Sequence, residues 1–126
     1  AHDMDIFTIG YCFTPKEARM IAEAGCDILA CHVGLTAGGL IGAKTVVTQE
    51  AAIDTTNALI KAAKEVRADF IPITHGGPMA TPETTEPILM RTEAKGYLGA
   101  SSIERTPIEP VIPEVVKKFK AMRLKK

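Results

Sequence analysis

Short apolar runs alternate with segments of helical periodicity four times along the chain. Apolar runs bounded by turn residues predict strands, and apolar residues spaced three and four apart predict amphipathic helices. The predicted strands cover residues 6–13, 26–33, 69–74 and 96–100; the predicted helices cover residues 15–24, 49–66, 83–94 and 113–124. Nearly continuous apolar strands that alternate with helices are typical of a buried parallel sheet.

Local signals mark several of these elements. Thr14 and Glu17 have the spacing of a capping box around Pro15, and Gly25 is the expected left-handed stop of that helix. Pro87 is awkward in the third helix, which therefore either starts near Thr85 or has a distorted first turn. In the last helix we expect one apolar stripe to pack in the core: Val115, Val116, Phe119 and Met122.

Two architectures fit this element order: half of a (β/α)8 barrel, or an open flavodoxin-like sheet. A full barrel typically needs about 250 residues, and the chain has 126. We expect residues 1–126 to form a single (β/α)4 half-barrel domain. Because a half-barrel leaves two open strand edges and a bare inner face, we also expect completion by a homodimer or by a missing N-terminal half-barrel.

Composition narrows the function classes. Lys plus Arg and Asp plus Glu are both 15, aromatic residues make up 5% and Trp is absent. Zero formal net charge and few aromatic side chains argue against nucleic acid as a partner. No apolar run is long enough for a membrane span. The three cysteines, Cys12, Cys26 and Cys31, fit buried, reduced thiols, and we expect a cytoplasmic location.

Polar residues collect at the predicted strand ends, where parallel β/α folds bind their ligands. His32 and His75 end the second and third strands, and both are candidates for proton transfer because imidazole titrates near neutrality. The alternative is that each is a hydrogen-bonded structural histidine. Glu104 is a candidate general base, or it forms an ion pair with Arg105 or Lys44. No histidine and cysteine spacing matches a metal site.

Glycines at two strand ends indicate an anion site, since they let backbone N–H groups approach a phosphate or carboxylate. The predicted anion or phosphate site comprises Gly38, Gly39, Gly76, Gly77, Ser101, Ser102 and Arg105. The serine hydroxyls would donate hydrogen bonds and Arg105 would supply charge. Alternatively, these glycines only form tight turns.

Three segments in this order resemble the phosphoenolpyruvate hydrolase-like family, a predicted TIM-barrel family that also forms the C-terminal domain of a plant virus-resistance protein family. They are residues 24–44, residues 75–78 (HGGP) and residues 99–109, which contain GASSIER. The resemblance implies a barrel of the phosphoenolpyruvate mutase and isocitrate lyase superfamily, of which this chain matches the C-terminal half. It also implies small phosphorylated or keto acids as ligands and magnesium as the usual cofactor. The superfamily's magnesium carboxylates and its Lys-Cys-Gly-His signature are not found in this chain.

Two functions are consistent with these observations. One is a lyase or hydrolase that acts on a small phosphorylated or keto-acid metabolite, with His32 or His75 moving protons. The other is a non-catalytic ligand-sensing or scaffold module of a larger barrel. A small anionic metabolite is the expected partner in the first case.

Overall fold

The structure, a computed structural model, describes residues 1–105 and 107–122. The elements follow in the order 3-10 turn (His2–Met4), β1 (Ile9–Cys12), α1 (Pro15–Glu23), β2 (Ile28–His32), α2 (Gln49–Lys64), β3 (Ile71–His75), α3 (Pro82–Met90), α4 (Ser101–Glu104) and α5 (Val111–Lys120). The first three predicted strands are present but shorter. The end of the last predicted helix, residues 123 and 124, lies outside the described residues.

The three strands form one parallel sheet in the order β1-β2-β3. Ile9 is the register partner of Ile28, and His32 is the partner of His75 at the opposite end. The order follows the chain without a reversal, and right-handed crossovers then place the connecting helices on one face. Accordingly, α1 packs against α2, and α2 packs against α3.

The two faces of this sheet have different surroundings. On the helix side, a cluster joins the strands to α1 and α2, and its strand members are buried: Cys12, Leu29 and Cys31. Thr56 of α2 and Thr74 of β3 share a buried hydrogen bond of 3.1 Å on this side. On the other face, Ile9 and Ile71 are 51% and 47% exposed. The described residues therefore cover one face of the sheet and leave apolar side chains open on the other.

The start and end of α1 confirm the predicted signals. Thr14 accepts a hydrogen bond from the Glu17 N–H at 3.2 Å, and the Glu17 carboxylate accepts from the Thr14 N–H at 2.9 Å. Gly25, just after the helix, has a φ of 87°.

The helix α3 starts earlier than predicted, at Pro82, because Thr81 caps it. Pro87 lies inside this helix, and since proline has no N–H, the Glu83 carbonyl lacks its helical hydrogen-bond donor.

The predicted fourth strand is wrong in its extent. A single parallel bridge joins Thr74 to Tyr97, with the Thr74 N–H donating to the Gly96 carbonyl at 3.0 Å and the Leu98 N–H donating to the Thr74 carbonyl at 3.0 Å. The ladder stops there because the chain turns into α4, which the sequence reading missed. A Cβ on Gly99 would collide with Ile103, so α4 folds back closely over this glycine.

The expectation that the last helix packs in the core is also wrong. None of the α5 residues is buried, and the apolar side chains predicted as its core stripe are exposed: Val115, Val116, Phe119 and Met122. Helical periodicity identified the apolar face of α5 correctly, but it does not show whether another part of the protein covers that face.

The described residues thus form an α/β fold with an open three-stranded parallel sheet and five α-helices. The open sheet agrees with one of the two expected architectures, although its strand order lacks the 2-1-3 reversal of flavodoxin-like folds. The three cysteines are free and buried, as expected. Within the described ranges, no helix is both long enough and apolar enough to cross a bilayer.

Candidate functional site

Two histidines meet where β2 and β3 end. His32 and His75 are the last residues of these strands and are register partners, so the parallel ladder itself brings them together. Their ring centroids are 4.9 Å apart and the ring planes cross at 68°. Both residues are partly buried. The pairing expected from topology is therefore found, on the sheet face that the helices do not cover.

The hydrogen bonds of the two rings have opposite polarity. The Nδ1 atom of His32 accepts from the Gly34 N–H at 3.2 Å, whereas Nδ1 of His75 lies 2.7 Å from the Leu98 carbonyl oxygen. Because a carbonyl only accepts, His75 carries its proton on Nδ1, and neutral His75 has a lone pair on Nε2. In neutral His32 the proton is on Nε2. The pair thus offers one acceptor nitrogen and one donor nitrogen.

Burial sets the charge state of His32. It lowers the pKa of His32 below its ordinary value, and the nearby His75 lowers this pKa further. Neutral His32 is consequently the favoured form near neutral pH, consistent with its role as acceptor for the Gly34 N–H.

Two aromatic side chains line the histidine pair. The Tyr11 ring is 5.8 Å from the His32 ring and 5.3 Å from the His75 ring, between centroids, and Phe13 is 4.6 Å from His32. The sequence alone places Tyr11 and Phe13 in the first predicted strand, residues 6–13, but neither was predicted as a site residue. The two-residue period of a strand places residues 11 and 13 on one face and is the signal that identifies them.

The glycine turns after the two strands fit against each other. Gly34, Gly76 and Gly77 all have positive φ, and the Gly77 N–H donates to the Gly34 carbonyl at 2.8 Å. A Cβ on Gly76 would collide with that same carbonyl oxygen. Position 76 requires glycine because the two backbones approach closely there. The Gly77 N–H is already used in the hydrogen bond to the Gly34 carbonyl.

A second cluster surrounds Gly38 and Gly39. The Arg105 guanidinium forms an ion pair of 2.5 Å with Glu109 and reaches the Gly38 carbonyl at 3.4 Å. The Leu40 N–H donates to the Glu109 carboxylate at 2.5 Å. Arg105 lowers the pKa of Glu109, and the Leu40 amide adds to this effect. The sequence reading missed Glu109, although its i,i+4 spacing from Arg105 is typical of a helical ion pair.

The remaining candidates lie on α4. Ser102 shares a hydrogen bond of 2.6 Å with the Tyr97 hydroxyl, which in turn donates to the Met79 carbonyl at 2.7 Å. Ser101 opens α4 and is partly buried, and Glu104 is exposed. The described residues contain no cluster of three or more metal-ligating side chains.

The geometry defines an α/β protein with a pair of adjacent histidines at the carboxyl end of a parallel sheet. The profile of the family described as phosphoenolpyruvate hydrolase-like matches residues 1–122. The chain belongs to this family, as the motifs in its sequence had indicated.

The relatives are longer proteins. The chain is 42% identical over 125 residues to the ToMV susceptible protein tm-1(GCR26) and to the ToMV resistance protein Tm-1(GCR237), both from Solanum lycopersicum. It is 27% identical over 122 residues to the putative transcriptional regulatory protein y4pA of Sinorhizobium fredii. These alignments cover 97–98% of this chain but only 17% of each tomato protein and 20% of y4pA.

Proposed function

We propose that this chain is half of a (β/α)8 barrel whose mouth holds a lyase or hydrolase site for a small phosphorylated or keto-acid metabolite. Three observations support the proposal. The chain belongs to the phosphoenolpyruvate hydrolase-like family. Its strand order is sequential, as in a barrel. Its histidine pair lies at the carboxyl ends of the strands, where barrel enzymes place their chemistry.

The opposite polarity of His32 and His75 is the observation that carries this proposal. In the reaction, Nε2 of His75 would accept a proton from the substrate or from an attacking water. The Nε2–H group of His32 would donate a hydrogen bond to an oxygen that gains negative charge. General acid–base catalysis of this kind typically contributes about 10²–10⁴-fold to the rate.

The cluster around Gly38 and Gly39 supports an anionic ligand. Arg105 and the Leu40 N–H already bind a carboxylate there, that of Glu109. We expect a phosphate or carboxylate of the metabolite to compete with Glu109 for these donors. Gly76, Gly77, Ser101 and Ser102 remain proposed parts of the same anion site.

Magnesium is the cofactor implied by the family resemblance. It prefers oxygen ligands, largely carboxylates and water, and the described residues bring no three metal-ligating side chains together. No step of the proposed reaction therefore passes through a metal. Assays with added magnesium and with a chelator test the cofactor separately.

The test is turnover by the wild-type chain and by His75→Ala. Phosphoenolpyruvate, oxaloacetate and related acids would be screened, with product measured directly. We expect His75→Ala to lose at least about 10²-fold in rate while circular dichroism stays unchanged and the variant remains folded at the assay temperature, with a lower Tm from the lost bond to the Leu98 carbonyl. His2→Ala, the remaining histidine, is the matched control and should retain full activity. Full activity of His75→Ala would contradict the proposal.

A second candidate is a non-catalytic ligand-sensing or scaffold module. The names of the relatives favour it, since they describe virus susceptibility or resistance and transcriptional regulation rather than catalysis. Thermal stabilisation by a ligand without any product would support this function. A ligand at 100 times its Kd stabilises a protein by about 2.7 kcal/mol, which a thermal scan detects.

A further inference from the structure

An apolar groove lies between α3 and α4. Its volume is about 640 Å³, and its surface is mostly apolar. Leu89 and Met90 of α3 line it from one side, and Tyr97 and Ile103 line it from the other. Met90 is 80% exposed and Ile103 is 67% exposed. The described residues thus leave a groove open on the helix layer of the fold.

The helix α5 has the complementary pattern. Ile112, Val115, Val116 and Phe119 have the spacing i, i+3, i+4 and i+7, which places them on one face of the helix. All four are exposed, Phe119 by 67%. This spacing is the anchor pattern by which amphipathic helices bind apolar grooves in other proteins.

The charges of the two surfaces are complementary as well. Lys118 and Lys120 flank the apolar stripe on either side, as the 100° step of a helix requires. Glu83 and Glu86 are exposed on α3, and Glu86 lines the groove. Among the ion pairs of the described residues, neither of these glutamates takes part.

Contacts of Glu109 and of two prolines hold the start of α5 against the loop around Gly39, not against the groove of its own chain. Glu109, two residues before α5, binds Arg105 and the Leu40 N–H. Pro110 and Pro113 line a small cavity beside Gly39 and Leu40. An α5 that entered its own groove would have to release these contacts, whereas a second copy can supply its helix with all of them intact.

We propose that α5 of one copy binds the α3–α4 groove of a second copy, and that the second copy does the same in return. Two identical contacts related by a twofold axis are the commonest form of homodimer. This contact uses a different surface from the barrel closure proposed above, so each can fail without the other.

The first test compares dimer Kd values measured by sedimentation on the full chain carrying Ile71→Lys, so that barrel closure between copies does not contribute. Phe119→Glu should raise the dimer Kd by at least about 30-fold, because a buried Phe contributes roughly 2 kcal/mol. Ala121→Glu adds the same charge on the opposite side of α5 and should leave the Kd unchanged. Met90→Glu, on the groove, should act like Phe119→Glu. All three positions are exposed, so the monomer fold is retained.

Mixing the two disruptive variants tests whether the contact joins two chains. A pair made of one Phe119→Glu copy and one Met90→Glu copy keeps one intact helix and one intact groove that fit each other. Isotope-labelled Phe119→Glu mixed with Met90→Glu should therefore form mixed dimers more strongly than either variant pairs with itself. No preference for mixed dimers, an unchanged Kd in Phe119→Glu, or a wild-type monomer at about 100 μM would overturn the proposal.

Discussion

In the candidate site, His32 is a residue whose titration couples stability to pH. Its pKa is lowered by burial and by His75, so the folded state favours the neutral form more than the unfolded chain does. The resulting stabilisation is fully present above the unfolded pKa of about 6.5 and is lost as the pH falls through the lowered folded pKa. Acid therefore weakens the site and the fold together.

His32→Asn should reduce the dependence of stability on pH. The Asn oxygen can still accept from the Gly34 N–H, but the side chain does not titrate. We expect the Tm difference between about pH 7.5 and about pH 5.5 to be smaller in the variant than in wild type, with carboxylate contributions common to both. An equal or larger difference in His32→Asn would show that folding does not lower the pKa of His32.

The glycine turns differ in what they require. Gly76 has a φ of 83° and no room for a Cβ, since the Gly34 carbonyl oxygen is in the way; Gly38 has a φ of 81° but open space. Gly38→Ala should cost about 1 kcal/mol for the left-handed backbone alone. Gly76→Ala should cost more than about 2 kcal/mol. Urea unfolding measures both, and equal losses would contradict the close approach of the two turns.

At the scale of elements, the capping signals of α1 were predicted correctly, whereas the extent of the fourth strand and the surroundings of α5 were not. The cap of α1 was predictable because Thr14 and Glu17 bond only to neighbours in sequence. The fourth strand was predicted too long because its pairing ends where α4 begins, and no local residue pattern predicted that helix. The α5 stripe was recognised but assigned to the core, since periodicity does not tell whether a partner surface exists.

In the candidate site, one contact between distant residues was predictable from the sequence and another was not. The meeting of His32 and His75 followed from topology, because residues at the ends of adjacent parallel strands share one edge. The role of Arg105 did not follow, because Glu109 binds it and also holds the Leu40 amide of a loop far away in sequence. Contacts between a loop and a distant turn depend on backbone paths that a hydrophobic pattern does not contain.

The Glu109 contact makes a prediction about the glycine loop. Glu109→Ala should speed amide exchange at Leu40 several-fold, because this amide loses its carboxylate acceptor. In wild type, acid should lower the protection of this amide relative to its intrinsic exchange rate: the contact is present above the ordinary pKa of Glu and is lost as the pH falls through the lowered pKa of Glu109. Glu104→Ala removes a different exposed carboxylate and should leave Leu40 exchange unchanged. Unchanged exchange in Glu109→Ala would show that Glu109 does not protect the Leu40 amide.

At the scale of the whole molecule, the helix-free face of the sheet is where an isolated open sheet and the proposed half-barrel make different predictions. Ile9, Ile71 and the Tyr11 ring are exposed on it, and the same face carries both histidines. Exposed apolar side chains around a titratable pair are expected where a second half-barrel completes the core. A surface that remained open in solution would leave the proposed site accessible to bulk water on one side.

Ile71→Lys tests this closure. Ile71 is 47% exposed, so the substitution should change monomer stability by no more than about 1 kcal/mol. In a closed barrel the same side chain would be interior, and a lysine there would carry an unpaired charge into an apolar layer. If two copies close the barrel, then in a Phe119→Glu background, which removes the α5 contact, light scattering should show that Ile71→Lys dissociates the remaining dimer. Met20→Lys in the same background, which places the same charge on the exposed α1 surface, should leave it intact. A dimer that survives Ile71→Lys yet dissociates in Phe119→Glu would assign self-association to α5 alone, and the barrel would then require a different second half.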